Sequence, residues 1–131
     1  MSVENPQSQG MSYAQAGVDI EAGDKAVELF APLAKKATRP EVRGGLGGFA
    51  GLFALGTHYK EPLLAASSDG VGTKIDIARQ MEIYHTVGLD LVAMVVDDLV
   101  VCGAEPLFLQ DYISIGHVVP EKVAKLVEGI A

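Results

Sequence analysis

The chain has 131 residues, 49% of them hydrophobic, which is enough apolar material for the core of one domain. Its formal charge of −7 and pI near 4.8 argue against a nucleic-acid partner, since no basic cluster exceeds the Lys35-Lys36 pair. A single cysteine, Cys102, excludes an internal disulfide framework and fits a reducing compartment.

Residues 1–17 carry Asn5, Pro6, Ser8, Gly10 and Gly17 with little apolar content, and read as a mobile arm rather than a signal peptide. No run reaches the roughly 20 apolar residues of a membrane span, so a soluble, cytoplasmic protein without a membrane partner is expected. From Asp24, a good N-cap residue, Val27, Phe30, Leu33, Ala34 and Ala37 recur at helical spacing. They predict an amphipathic helix to residue 38, kinked or broken at Pro32. Gly44-Gly45-Leu46-Gly47-Gly48 then places four glycines in five residues ahead of the apolar stretch 49–55. So much glycine is entropically costly to order, which implies positive-φ positions or a ligand close to the backbone; a flexible helix-to-strand loop is the rival.

Strands are predicted over 49–55, 62–67 and 106–115, and a short helix over 73–81. The apolar stretch 86–102 predicts a largely buried helix by its length, with its valines keeping a strand in contention and Gly103 as the C-cap. Cys102 then reads as a small apolar helix residue. Pro120 opens a final helix that is still running at Ala131, so the sequence is expected to be a piece of a longer chain.

The stretch 62–74, Pro-Leu-Leu-Ala-Ala-Ser-Ser-Asp-Gly-Val-Gly-Thr-Lys, carries the most chemistry. Gly70 and Gly72 let backbone N–H groups approach a polyphosphate, Asp69 is a candidate Mg²⁺ ligand, and Lys74 can neutralise phosphate charge. The spacing is not that of a Walker A loop, and an ordinary strand ending in an Asp-Gly turn stays open. Asp97 and Asp98 sit near the C-terminal end of the apolar helix, where the helix dipole disfavours negative charge. At 100° per residue Asp90 lies within about 20° of Asp97 and about 80° from Asp98, so one face carries a carboxylate cluster. Packed beside Asp69 it would call for a divalent cation; facing water it is an ordinary wet stripe. Asp111 either joins that cluster or faces solvent. His58, His85 and His117 have neither i,i+4 partners nor a nearby cysteine, which gives no basis for a histidine metal site.

Ser12-Tyr13, Ala16-Gly17-Val18-Asp19-Ile20, Gly45-Leu46-Gly47-Gly48-Phe49, Asp69-Gly70-Val71-Gly72-Thr73-Lys74, Gly88-Leu89-Asp90-Leu91-Val92-Ala93-Met94, Asp97-Asp98-Leu99-Val100 and Gly103-Ala104-Glu105-Pro106-Leu107-Phe108 occur in that order. Together they resemble the phosphoribosylformylglycinamidine cyclo-ligase family, the aminoimidazole ribonucleotide synthetases of purine biosynthesis. The resemblance implies an ATP-dependent ring closure, in which the formamide oxygen of formylglycinamidine ribonucleotide is phosphorylated and an amine attacks the activated carbon. It implies an α+β fold whose strands form a barrel across a homodimer, flanked by helices. Residues 18–131 would be this N-terminal domain, unfinished and lacking the second domain, and not expected to be active alone.

The resemblance further implies ATP and Mg²⁺ as cofactors. Asp69 resembles the metal-binding aspartate and, with Lys74, a catalytic group. Gly70, Gly72, Thr73 and Lys74 resemble the phosphate loop, and Asp98 a second metal ligand with Asp97 beside it. Tyr13 and Asp19 in the arm, and Gly45, Gly47, Gly48 and Phe49, resemble segments that close over nucleotide. The sequence departs from the family pattern at Asp97, where asparagine is common, at Ser67-Ser68, where Gly-Thr is usual, and at His85, where an aspartate often sits. Two other readings are a related selenophosphate or thiamine-phosphate enzyme, which 88–108 matches less well, and a non-catalytic, dimerising nucleotide-binding module.

Overall fold

A computed structural model describes residues 10–46, 48 and 50–131. The first helix, α1 (Ile20–Ala37), begins at a carboxylate: Asp19, in an extended conformation, accepts a hydrogen bond on Oδ1 from the Ala22 N–H at 2.9 Å. That cap satisfies one of the orphan amides of the first turn and places the start five residues before Asp24, which lies inside the helix. The helix runs through Pro32 without a break. Lys35 and Lys36 in its last turn complement the dipole there.

After α1 come β1 (Val42–Arg43) and β2 (Leu52–Phe53), an antiparallel pair with Val42 opposite Phe53 and Arg43 opposite Leu52. The glycine-rich loop spans the gap between them. The remaining elements are α2 (Lys74–Met81), α3 (His85–Val101) and α4 (Pro120–Ile130). Past α3, Gly103 takes φ +72°, its N–H bonds the Val100 carbonyl, and the Ala104 N–H bonds that of Leu99, each at 2.9 Å. This is the paired 6→1 and 5→2 closure of a Schellman turn, with Cys102 as the cap residue and glycine one position later. Pro120 occupies the first turn of α4, where its missing N–H costs nothing.

The helices α1 and α3 both pack on α4. At the α3–α4 crossing Gly88 faces Gly129, and a Cβ at either position would press into backbone of the other helix, the His85 carbonyl for Gly129 and the Leu126 carbonyl for Gly88. Two glycines thus set the closeness of this seam. The buried apolar residues are small: Ala26 on α1, Ala78 on α2, Val87 and Val95 on α3, and Val127 on α4.

Two further expectations are corrected. Of the three predicted strands only Leu52–Phe53 pairs, and 62–67 and 106–115 join no sheet among the described residues. A strand exists only where a second backbone meets it, and no described segment supplies one there. Helix α3 is not largely buried: only Val87, Gly88 and Val95 are, whereas Val101 is 83% exposed.

A polar clasp joins the hairpin to the segment after α3. The Arg39 guanidinium donates to Glu105 Oε1 at 3.1 Å, to the Pro106 carbonyl at 3.2 Å and to both oxygens of Glu41 at 3.4 Å. Tyr59 donates its hydroxyl to Glu105 Oε2 at 2.8 Å, and Phe53 stacks on Phe108 with ring centroids 5.4 Å apart. The Tyr59 hydroxyl first, then Arg39, hold the Glu105 carboxyl below the usual carboxylate range.

Candidate functional site

The 67–74 segment lies along α3, which holds it at two points. Ser67 donates its hydroxyl to Asp98 Oδ2 at 2.8 Å, and Lys74 Nζ lies 3.1 Å from Asp90 Oδ2. Asp90 and Asp98 are eight positions apart, roughly 12 Å along the helix axis, so the segment between is strung beside two turns of α3.

Between these anchors the backbone is open. Gly72 has φ +57°, and a Cβ built at Gly70 or Gly72 would meet nothing within 4 Å. Asp69 turns back on its own chain, its Oδ1 accepting from the Gly70 N–H at 2.7 Å. Thr73 sits at the N-cap of α2 but its side chain makes no capping bond. Among the described residues, the N–H groups of Val71, Gly72 and Thr73 also make no hydrogen bond. Consecutive free amides, a free hydroxyl and an ammonium at a helix start form a donor set suited to phosphate oxygens.

Asp69 and Asp98 are carboxylates at this segment that could offer hard oxygen donors to a cation, each with one oxygen already accepting a hydrogen bond. Among the described residues no group of three or more His, Cys, Asp or Glu converges as a metal cage. A dedicated cage is not what Mg²⁺ with a polyphosphate uses, since one or two carboxylates plus phosphate oxygens and water complete its octahedron. The donor chemistry therefore fits Mg²⁺ carried in on phosphate. Asp97 is exposed next to Asp98 and has no polar partner among the described residues.

An open groove of about 420 Å³ lies between 65–68 and the end of α3, lined there by Asp98, Leu99, Val101 and Cys102. Cys102 is exposed on its edge, so the reading of it as a residue packed within the helix is corrected. It falls at the cap, where the chain leaves the helix.

The other predicted site residues are not gathered at this loop. Asp19 spends an oxygen on the α1 cap, and Tyr13 is 75% exposed in the turn before it. Gly45 and Gly48 are exposed in the glycine-rich loop, where Gly44 has φ +85°; Gly47 and Phe49 lie outside the described residues. Asp111 is exposed. No hydrogen bond or ion pair among the described residues joins Tyr13, Asp19, Gly45 or Gly48 to the 69–74 loop. Sequence reasoning placed Asp90 in a carboxylate face and missed its pairing with Lys74. Sixteen residues separate the two, and no local periodicity encodes that contact.

The pattern of the family described as "AIR synthase related protein, N-terminal domain" matches residues 50–131, which includes the 67–74 segment and all of α2, α3 and α4. The chain belongs to this family. It is 58% identical over 123 residues to a protein named phosphoribosylformylglycinamidine cyclo-ligase from Desulfitobacterium hafniense (strain DSM 10664 / DCB-2), covering 93% of the chain and 36% of that protein. Proteins of the same name from Geobacillus sp. (strain WCH70) and Thermosynechococcus vestitus are 56% and 52% identical, each over 92% of the chain and 35% and 36% of their own lengths. The chain thus spans about a third of the length of the curated relatives it matches. Among the described residues no helix is long and apolar enough to cross a membrane.

Proposed function

We propose that the chain is the nucleotide-handling part of an ATP-dependent cyclo-ligase that closes formylglycinamidine ribonucleotide to aminoimidazole ribonucleotide. The observation that carries the reading is the 58% identity, over 93% of the chain, to proteins named for that reaction. The open donor set at the start of α2 supports it from the side of chemistry.

In this reading the free amides of 71–73, the Thr73 hydroxyl and the Lys74 ammonium bind phosphate oxygens, and Gly70 and Gly72 keep the backbone clear of side chains that would hold the anion away. Asp69 and Asp98 hold Mg²⁺, with Ser67 fixing the Asp98 carboxylate by its hydrogen bond. Asp97 adds negative charge beside it. The chemistry the nucleotide supplies when bound is a phosphoryl group that turns the formamide oxygen into a leaving group. Tyr13, Asp19 and the loop carrying Gly45, Gly47, Gly48 and Phe49 would close over the nucleotide and exclude water.

The same reading makes the protein a cytoplasmic homodimer. Leu63, Leu64, Phe108 and Tyr112 are 96%, 71%, 61% and 93% exposed, on segments that pair with no strand among the described residues. Pairing across two copies would close these segments into a barrel and cover their apolar side chains.

Titration calorimetry with ATP tests the nucleotide assignment. Binding should require Mg²⁺ and collapse in excess chelator, and Asp69→Asn should remove most of the metal-dependent part. Equal affinity with and without Mg²⁺ would overturn it.

A further inference from the structure

We propose that Asp90 makes the loop at the start of α2 selective for cation-bound over free polyphosphate, by holding the Lys74 ammonium neutralised until an anion brings its own cation. The inference rests on the nucleotide reading above and adds to it a residue to which that reading gave no part.

Lys74 is the one basic side chain of the 67–74 segment. Its ammonium is 3.1 Å from Asp90 Oδ2, and the two side chains are 45% and 48% exposed, so an incoming anion has access to the pair without local unfolding. Asp90 alone pairs with that cation, while Asp69 in the same loop and Asp98, held by Ser67 two turns further along α3, add two more carboxylates along the segment. A free polyphosphate must therefore share or displace Asp90 while meeting uncompensated carboxylates. A cation-bound polyphosphate meets a site whose carboxylates attract it. An ammonium has three donors, so Lys74 can keep one on Asp90 while the others turn to phosphate. Asp90 thereby penalises the free anion more than the complexed one, because the penalty scales with the charge that arrives.

A plain structural tether predicts something different. If Asp90 only kept Lys74 in place, losing it would weaken both forms of the ligand together.

The test is the ratio of ATP affinities in Mg²⁺ and in excess EDTA, measured by calorimetry on the 131-residue chain. In Asp90→Asn the ratio should narrow at least about three-fold, because the Lys74 ammonium, no longer neutralised, attracts the uncomplexed anion more than the less charged complex. Asp90→Glu should restore the wild-type ratio, and Asp24→Asn, the same charge change on α1, should leave it unaltered. In a Lys74→Ala background the effect of Asp90→Asn should shrink. An unchanged ratio in Asp90→Asn, or the same change with Lys74 removed, overturns this inference alone. A wild-type chain that binds no ATP in either condition overturns the nucleotide reading and this inference with it.

Discussion

Gly129→Ala tests whether the α3–α4 seam carries the stability of the helical layer. A Cβ at Gly129 would lie 2.7 Å from the His85 carbonyl carbon and 3.1 Å from the Gly88 Cα, and closer still to the His85 carbonyl oxygen. All three are backbone atoms, so no side chain can swing aside. The helices must part by roughly 1 Å, which forfeits a quarter to a half of the dispersion energy of each contact along the seam. Overpacking of this kind costs about 1–3 kcal/mol, and rigid backbone puts it in the upper half. Alanine returns less than the usual 0.5–1 kcal/mol of helix preference, because Gly129 lies in the last turn of α4. The net loss is about 2 kcal/mol, or a Tm lower by roughly 6–10 °C for a chain of this size. Gly23→Ala on α1 is the matched control, since a Cβ there meets nothing within 4 Å. It should raise Tm by up to roughly 2 °C, since Gly23 lies at the end of the first turn of α1 and gains less than the full helix preference. Thermal melts followed by circular dichroism read both. A Gly129→Ala chain melting within 2 °C of wild type would refute the account of the crossing, as would a Gly23→Ala chain that melts lower.

Asp19→Ala should cost about 1 kcal/mol in urea denaturation without any ligand present, because the Ala22 N–H loses its cap; a neutral result would leave Asp19 free for the nucleotide role alone. The Arg39–Glu105–Tyr59 clasp should open at both extremes of pH. Glu105, lowered by the Tyr59 hydrogen bond and then by Arg39, contributes above the ordinary carboxylate range, and that contribution disappears as pH falls through its depressed value. Tyr59, raised chiefly by the same hydrogen bond to Glu105, contributes below the ordinary phenol value of 10.0 and loses that as pH rises through its own. Glu105→Gln should bring the Tyr59 ring titration, followed by NMR, back toward the ordinary phenol value; an unmoved titration would mean the contact is not populated. Sedimentation should show self-association of the chain, and a compact monomer at high concentration would count decisively against a barrel built from two copies.

Local signals were legible where one segment carries its own explanation. Pro120 marked the start of α4, and the 73–81 prediction lies within one residue of α2, because a proline at a first turn and a short amphipathic run are local facts. The start of α1 misled because Asp19 and Asp24 are equally good capping types, and only the backbone conformation at residue 19 decides between them. The loop 69–74 reads as a candidate phosphate-type stretch from its glycines, threonine and lysine, with an Asp-Gly turn as the rival. Its anchoring was not legible, since Ser67–Asp98 and Lys74–Asp90 are contacts between elements that meet only once α3 is in place.

The strand readings at 62–67 and 106–115 and the burial reading of α3 miss for one cause. Apolar runs at 62–67, 86–102 and 106–115 report how much surface must leave water, and they carry no record of which backbone covers it. Among the described residues the buried apolar side chains are small ones, Ala26 on α1, Ala78 on α2, Val87 and Val95 on α3 and Val127 on α4, while Leu63, Val101 and Tyr112 stay exposed. In α3 a hydrophobic pattern read as that of a buried helix is therefore largely the pattern of an exposed face. The distinction has a practical consequence for the site: the 65–68 edge of the groove and the exposed end of α3 belong to that face, so a second copy covering it, as proposed, would also close the wall beside Asp98. Association and nucleotide affinity should consequently rise and fall together when Val101 is changed to a charged residue, although Val101 itself offers nothing to a phosphate.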